Sequence, residues 1–339
     1  MAKRLPSMVD VAKRAGVSHQ TVSRVLNEHK SVTNRTREKV FMAITELGYR
    51  PNHAAKALVT GKTSTIGVLS YDTTLFGPAS MLHSVQSAAR EVGYAVNIVS
   101  LKSTDRTSVI AGIQELVDMG VDGMVIIAPQ SEDETLLAHL SGNLPAVIVE
   151  GEDASMIPSV NVDQFSGAVI AMEHLISLGH KKIAHISGPL NWFESQQRRK
   201  GWSTTLIKAG LEPDIFAVGD WSPRSGYEAT KELMARARPT AIFAANDAMA
   251  LGTLKALSEL NITVPSEMSL IGFDNVPEAE FFVPGLTTVI QDFEEVGKLC
   301  VNLLVKLIAH EEFGESRLVI QPELCLRGST SRPSKKVTI

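Results

Sequence analysis

From residue 64 onward the chain alternates short, almost wholly apolar runs with longer stretches patterned for helices, and few folds satisfy that alternation. The runs are IGVLS (66–70), YAVNIVS (94–100), GMVIIA (123–128), PAVIVE (145–150), KIAHISG (182–188), IFAVGD (215–220), AIFAAN (241–246) and SLIGFD (269–274). Most of the segments between them, such as SMLHSVQSAAREVG and SGAVIAMEHLISLGH, have the spacing of amphipathic helices. Continuous apolar strands joined by helical crossovers make parallel sheets covered on both faces. These are too many strands for one small sheet, and two similar series stand before and after about residue 160. The pattern predicts two doubly wound subdomains.

In such sheets, ligands bind beyond the C-terminal ends of the strands. The polar residues at those ends are Glu150 after PAVIV, Asp220-Trp221 after IFAVG, Asn246-Asp247 after AIFAA, Asp274-Asn275 after SLIGF and Gln291-Asp292 after LTTVI. Carboxylates and amides can satisfy paired hydroxyls, and an indole face can cover the apolar side of a sugar ring. Arg198, in ESQQRRKGW, adds a planar fork of donors. Any one of these residues could instead cap a helix, Asp247 and Asp292 above all. Together they suit a polyhydroxylated ligand.

Ahead of the alternating region lies VDVAKRAGVSHQTVSRVLN (9–27). Val9, Ala12, Val17, Val22 and Val25 fit two short helices crossing around a turn at Gly16, with Ser7 and Ser18 as caps. This is the pattern of a helix-turn-helix whose second helix enters a DNA major groove, although a helix pair in an all-α core would share it. The second helix would expose His19, Gln20, Thr21, Ser23, Arg24 and Asn27, and Gln and Arg can make paired contacts to adenine and guanine edges. Thr33 can cap a third helix carrying Val40, Ala43, Ile44 and Leu47, ended by Gly48. After the break at Arg50-Pro51, Asn52 can cap a short helix through Leu58. An exposed Leu58 among alanines has the character of a minor-groove wedge, the alternative being a linker. Gly61-Lys62-Thr63 is not a phosphate loop, because the earlier glycine it would need is Lys56.

The net charge of −4 hides an asymmetry. Residues 1–62 hold 12 Lys or Arg against 4 Asp or Glu, while the rest of the chain holds 21 against 33. A basic head on an acidic body suits a nucleic-acid-binding module joined to one that does not bind nucleic acid. Two cysteines, Cys300 and Cys325, form no disulfide framework, and there is no signal core or membrane-spanning apolar run, so a cytoplasmic location and no membrane partner are expected. No nucleophile, metalloprotease or dinucleotide signature occurs, and His180 and His185 have poor metal spacing, so no catalysis, metal or cofactor is expected.

The head, with VTNRTREKV and LGYRPNHAAKAL, followed by IGV, SLGHKKIAHISGP, the GW of Arg198–Trp202, FAANDAMALG, SLIGFD and LTTVIQDF, resembles the lac repressor (LacI/GalR) family of bacterial transcriptional regulators over nearly the whole chain. The resemblance implies an α-helical helix-turn-helix domain (1–50), a hinge helix and linker (51–63), and a periplasmic-binding-protein-like α/β core. The core would comprise 64–163 with 293–321, and 164–292 with 322–339. It implies a homodimer on double-stranded operator DNA, contacting it through Ser18, His19, Gln20, Thr21, Ser23, Arg24, Asn27, Thr33, Asn52, His53, Ala55 and Leu58. The chain ends in RGSTSRPSKKVTI without a leucine-heptad tail, which favours a dimer over a tetramer. In the implied sugar pocket Arg198, Trp221, Asn246, Asp274 and Gln291 match the family pattern. Glu150 stands where that pattern has an aspartate, Glu194 replaces a small polar residue, and Trp192-Phe193 add bulk. His19 replaces a tyrosine in the recognition helix. The expected function is a repressor of sugar-utilisation genes, released from its operator by a galactoside-like inducer; corepression by another effector is the alternative. A sugar-processing enzyme with a DNA-binding head and a purely architectural DNA binder are weaker readings, the first for want of catalytic motifs, the second because of the polar cleft.

Overall fold

Local signals build the head first. In the computed structural model, which describes residues 6–26, 29, 31–49, 61–71, 74–103, 105–127, 144–150 and 157–334, helices α1 (Met8–Ala15), α2 (His19–Leu26) and α3 (Asn34–Leu47) form a small bundle. The Ser7 hydroxyl accepts the Asp10 N–H, and the Asp10 carboxylate accepts the Ser7 N–H at 2.8 Å, a reciprocal cap on α1. Gly16 ends that helix at φ 68°, a left-handed turn that glycine adopts without penalty. The Ser18 hydroxyl accepts the Thr21 N–H at 3.1 Å and starts α2. Val11, Ala12, Val22, Val25, Val40, Ala43 and Tyr49 bury against one another.

Two expectations for the head are corrected. Val9 is 49% exposed, and the buried valine of α1 is Val11. Residues three and four apart share a helix face, so Met8, Val11, Ala12 and Ala15 line the core while Val9 projects away from it. Thr33 holds the N-cap position of α3 but caps no backbone N–H; its hydroxyl pairs with that of Thr36 at 3.0 Å. Asn27 and the short helix expected at 52–58, with Asn52, His53, Ala55 and Leu58, lie outside the described residues.

The head (1–63) and the body (64–339) are separate compact units. In the body each of the eight apolar runs becomes a strand: β1 (Thr65–Tyr71), β2 (Ala95–Leu101), β3 (Gly123–Ile127), β4 (Ala146–Val149), then β6 (Ile183–Ser187), β7 (Phe216–Val218), β8 (Ala241–Ala244) and β9 (Ser269–Asp274). LTTVI supplies β10 (Thr287–Ile290), and β5 (Ser159–Val162), β11 (Arg317–Ile320) and β12 (Glu323–Cys325) complete two six-stranded sheets. The first runs β2-β1-β3-β4-β5-β11 and the second β7-β6-β8-β9-β10-β12. All neighbours are parallel except β12, which is antiparallel to β10. The same strand order thus occurs twice, with the reversal of direction across the sheet at β1/β3 and at β6/β8.

Helices bury both faces. In the first sheet α4 (Phe76–Glu91) and α10 (Phe293–Ile308) cover one face through Met81, Val85, Val296 and Leu304, and α5 (Arg106–Asp118) covers the other through Val109, Ile113 and Leu116. In the second, α6 (Gln164–Ser177) and α7 (Phe193–Lys208) pack Met172, Leu175, Trp202 and Leu206 on one side. Helices α8 (Pro223–Arg236) and α9 (Asp247–Glu259) pack Leu233, Met249 and Leu257 on the other. The chain passes between the sheets three times: from β5 into α6, from β10 into α10, and from β11 into β12. No helix among the described residues is long and apolar enough to cross a membrane.

Candidate functional site

On the head, α2 presents His19, Gln20 and Arg24 to solvent, with Thr21 and Ser23 half-exposed, while Val22 and Val25 anchor it inward. Ser18 is exposed at the start of the helix, its hydroxyl also 2.9 Å from that of Thr21. One helix face therefore offers amide, guanidinium, imidazole and hydroxyl groups on a rigid support, the composition that reads base edges and phosphates.

In the body the strand ends bring together Glu150, Arg198, Trp221, Asn246, Asp274 and Gln291. At its centre is Arg198 on α7, a residue only 4% exposed. Its Nε donates to Gln164 Oε1 at 2.8 Å, and Nη1 donates to the Ala245 carbonyl at 2.5 Å and lies 3.5 Å from Asp274 Oδ1. The guanidinium stacks 3.8 Å from the Phe273 ring centroid. Gln164, the first residue of α6, donates through Nε2 to Glu150 Oε1 (3.1 Å) and Gln291 Oε1 (2.8 Å), and Gln291 donates to Asp274 Oδ1 at 2.7 Å. Arg198, Gln164, Gln291 and Asp274 form a closed ring, with Glu150 attached through Gln164. Glu150 Oε1 also accepts the Val162 N–H at 3.0 Å.

Sequence reasoning passed over Gln164. It follows SVNV at residues 159–162, a strand too short and too polar at Asn161 to stand out, yet it occupies the same kind of position as the strand-end residues that were found.

The capping roles fall differently from expectation. Asn246, not Asp247, caps α9: its Oδ1 accepts the Met249 N–H at 2.8 Å and its Nδ2 donates to the Trp221 carbonyl at 3.1 Å. Asp247 is buried one position further on, accepting the Thr288 hydroxyl at 2.6 Å and the Val276 N–H at 2.9 Å. Asp292 caps α10. Asp220 is exposed and closes a turn onto the Ser222 N–H, and Asn275 accepts from Arg327, so neither joins the ring.

A cavity of about 50 Å³ adjoins the ring, lined by Trp192, Glu194, Arg198, Trp221, Asn246, Asp274 and Gln291 from the second sheet's side and by Leu75, Phe76, Pro78 and Met81 from the first. Trp192 and Trp221 meet edge-on at 5.5 Å, and Tyr71 tilts against Trp192 at 6.1 Å. The Trp221 ring depends on Gly188, where a Cβ would fall 2.2 Å from the indole. Glu150, Trp221 and Asp274 all have positive φ, at 59°, 73° and 107°. Such backbone costs roughly 1–3 kcal/mol per residue and gathers at functional sites.

Carboxylates crowd this guanidinium. Burial, and then the charge of Glu194, pushes Glu150 up to about 8. Burial chiefly raises Glu194 to about 7. Asp247 is raised to about 8 by burial and then by Asp274. Asp274 itself is raised by burial to about 6, against the opposing pull of Arg198 and the Gln291 hydrogen bond. Three buried polar atoms have no hydrogen-bond partner here: Glu150 Oε2, Glu194 Oε2 and Trp221 Nε1. No group of His, Cys, Asp or Glu side chains among the described residues could hold a metal ion.

A helix-turn-helix head and a body of two doubly wound sheets with a polar site between them define a DNA-binding regulator with a ligand-binding core. Residues 7–52 match the model for bacterial regulatory proteins of the lacI family, and residues 172–330 match a periplasmic binding protein-like domain. The chain belongs to the lacI family, and is a DNA-binding transcriptional repressor of that family. It is 33% identical over 303 residues to the lactose operon repressor of Escherichia coli K12, covering 89% of this chain and 84% of the relative. It is 34% identical over 334 residues to the HTH-type transcriptional repressor PurR of Haemophilus influenzae, covering 96% and 98%. The structure of the lac repressor dimer bound to operator and the anti-inducer ONPF superposes with a TM-score of 0.89 at 31% identity, covering 97% of this chain and all of that one.

Proposed function

We propose that this chain represses sugar-utilisation genes as a homodimer and leaves its operator when a sugar, galactoside-like in its hydroxyl pattern, binds between the two sheets. The observation that carries this reading is the ring of Arg198, Gln164, Gln291 and Asp274 beside paired indoles. Arg198, Asn246, Asp274 and Gln291 line the cavity together with Trp192 and Trp221, a mixture of polar groups and aromatic surface that suits a polyhydroxylated ring. Glu150, Trp221 and Asn246 complete the set. On the head, Ser18, His19, Gln20, Thr21, Ser23, Arg24 and Thr33 contact DNA. Similarity to the lactose operon repressor supports the sugar. Phe281 and Val283, 76% and 90% exposed, offer apolar surface to a second copy.

Switching needs a ligand that distinguishes two states; moving a population from 1:99 to 99:1 takes about 5.5 kcal/mol of differential affinity. Fluorescence anisotropy of a labelled palindromic operator, titrated with the full chain at fixed salt and then challenged with galactosides and glucosides, tests the reading. Release by a sugar is expected. Arg198→Lys, which keeps the charge and loses the planar fork, is expected to bind operator normally and respond at least tenfold more weakly. Tighter operator binding on adding a ligand would make that ligand a corepressor, and indifference to every sugar would overturn the sugar assignment.

A further inference from the structure

The partnerless atoms around the cavity are unbalanced. The amides of Gln164, Gln291 and Asn246 are spent on one another, on Asp274 and on backbone. What remains on the cavity wall is one carboxyl oxygen, Glu194 Oε2, and the indole N–H of Trp221, while Glu150 Oε2 is partnerless outside that lining. Charge is unbalanced in the same sense. Among the described residues Glu150, Glu194 and Asp274 share the single guanidinium of Arg198, and Asp247 adds a fourth carboxyl behind Asp274. Arg327, bonded to Asn275 and the Leu286 carbonyl, lends its charge to Asp247, and Cys300, near Glu150, is held as a neutral thiol by burial. A neutral sugar would supply hydroxyl donors but leave these carboxyls in their protonated form, because ionising them in a buried site without a counter-charge is costly. An ammonium supplies three donors and the missing charge, and the indoles of Trp192 and Trp221 offer it aromatic faces.

We propose that the effector is an amino sugar, a polyhydroxylated ring whose protonated amine is held by Glu150 and Glu194 beside the Trp192–Trp221 wall. This rests on the sugar reading above and names its class. With Glu150 raised to about 8 and Glu194 to about 7, the cavity retains protons at neutral pH. Binding of the ammonium ionises these carboxyls and releases their protons to solvent, while the Trp221 N–H donates to a ring or hydroxyl oxygen.

Isothermal titration calorimetry of the full chain at pH 7.5 tests this with the 2-amino and 6-amino forms of glucose and galactose, each beside its neutral parent and its N-acetyl derivative. One amine is expected to bind at least tenfold more tightly than both neutral counterparts, with proton release seen as a buffer-dependent heat. Glu194→Gln, or Glu150→Gln if the first variant does not fold, is expected to bring that preference within twofold. A neutral sugar binding as tightly as its amine overturns the amine and leaves the sugar reading standing. A preference untouched by either variant places the amine elsewhere and likewise overturns the proposal. If no sugar of any kind binds, both readings fall.

Discussion

Glu150 shows how one side chain can set a property of the whole body. Its carboxyl is held at about 8 when folded against an ordinary value of 4.5, so the folded chain binds more protons than the unfolded chain between those values. Stability must then fall as pH rises through that window. Asp247, also raised to about 8, acts in the same direction. Half-buried His174 and buried His180 and His185, lowered by desolvation from the ordinary 6.5, act in the opposite direction but only below that value. Between pH 7 and 8.5 the carboxyls decide, and melting temperature should drop; Glu150→Gln should flatten the slope and melt higher than the parent at pH 8.5. Equal melting temperatures for the parent at the two pH values would mean the carboxyl is not buried as described. Five of the site residues, Glu150, Trp221, Asn246, Asp274 and Gln291, could be read from strand-end positions alone. Their internal bonding could not, because a strand end says where a side chain starts and not which neighbour claims it. Asn246 and Asp247 differ by one position and exchange cap and buried acceptor on that account.

Helices and strands were readable to the extent that their apolar patterns were long. The eight runs and the caps at Ser7, Ser18 and Gly16 all stand in the sequence. Strands β5, β11 and β12 do not, since three or four residues with Asn161, Arg317 or Glu323 among them carry too little periodicity and are placed only by pairing with distant strands. In α1 two valines compete for one face, and only the helix's register against α2 and α3 selects Val11. Val11→Ser should therefore lower the melting temperature of the head, at a cost of about 2 kcal/mol. Val9→Ser should stay within about 0.5 kcal/mol, as differential scanning calorimetry can show. The reverse ranking would put Val9 in the core.

At the scale of the molecule, Gln164 and Gln291 stand at two of the three passages between the sheets and are bonded to each other, so the proposed ligand ring and the joints of the body are built from the same residues. Gln164→Leu would leave Arg198 Nε, Glu150 Oε1 and Gln291 Oε1 each short of a buried partner. A destabilisation of about 2 kcal/mol or more follows, and chemical denaturation should report it; an unchanged midpoint would mean the ring closes without Gln164. The passages carry a consequence for synthesis as well. The first sheet begins at residue 65 but takes helix α10 and strand β11 from residues 293–320, after nearly the whole second sheet has been made. On the ribosome, the half of the body that emerges first must wait with the α10 share of one apolar face uncovered, while the later half assembles most of its strands without interruption. Birth order and completion order are thus reversed, and it is the older half whose apolar face stays open to aggregation until its last pieces arrive.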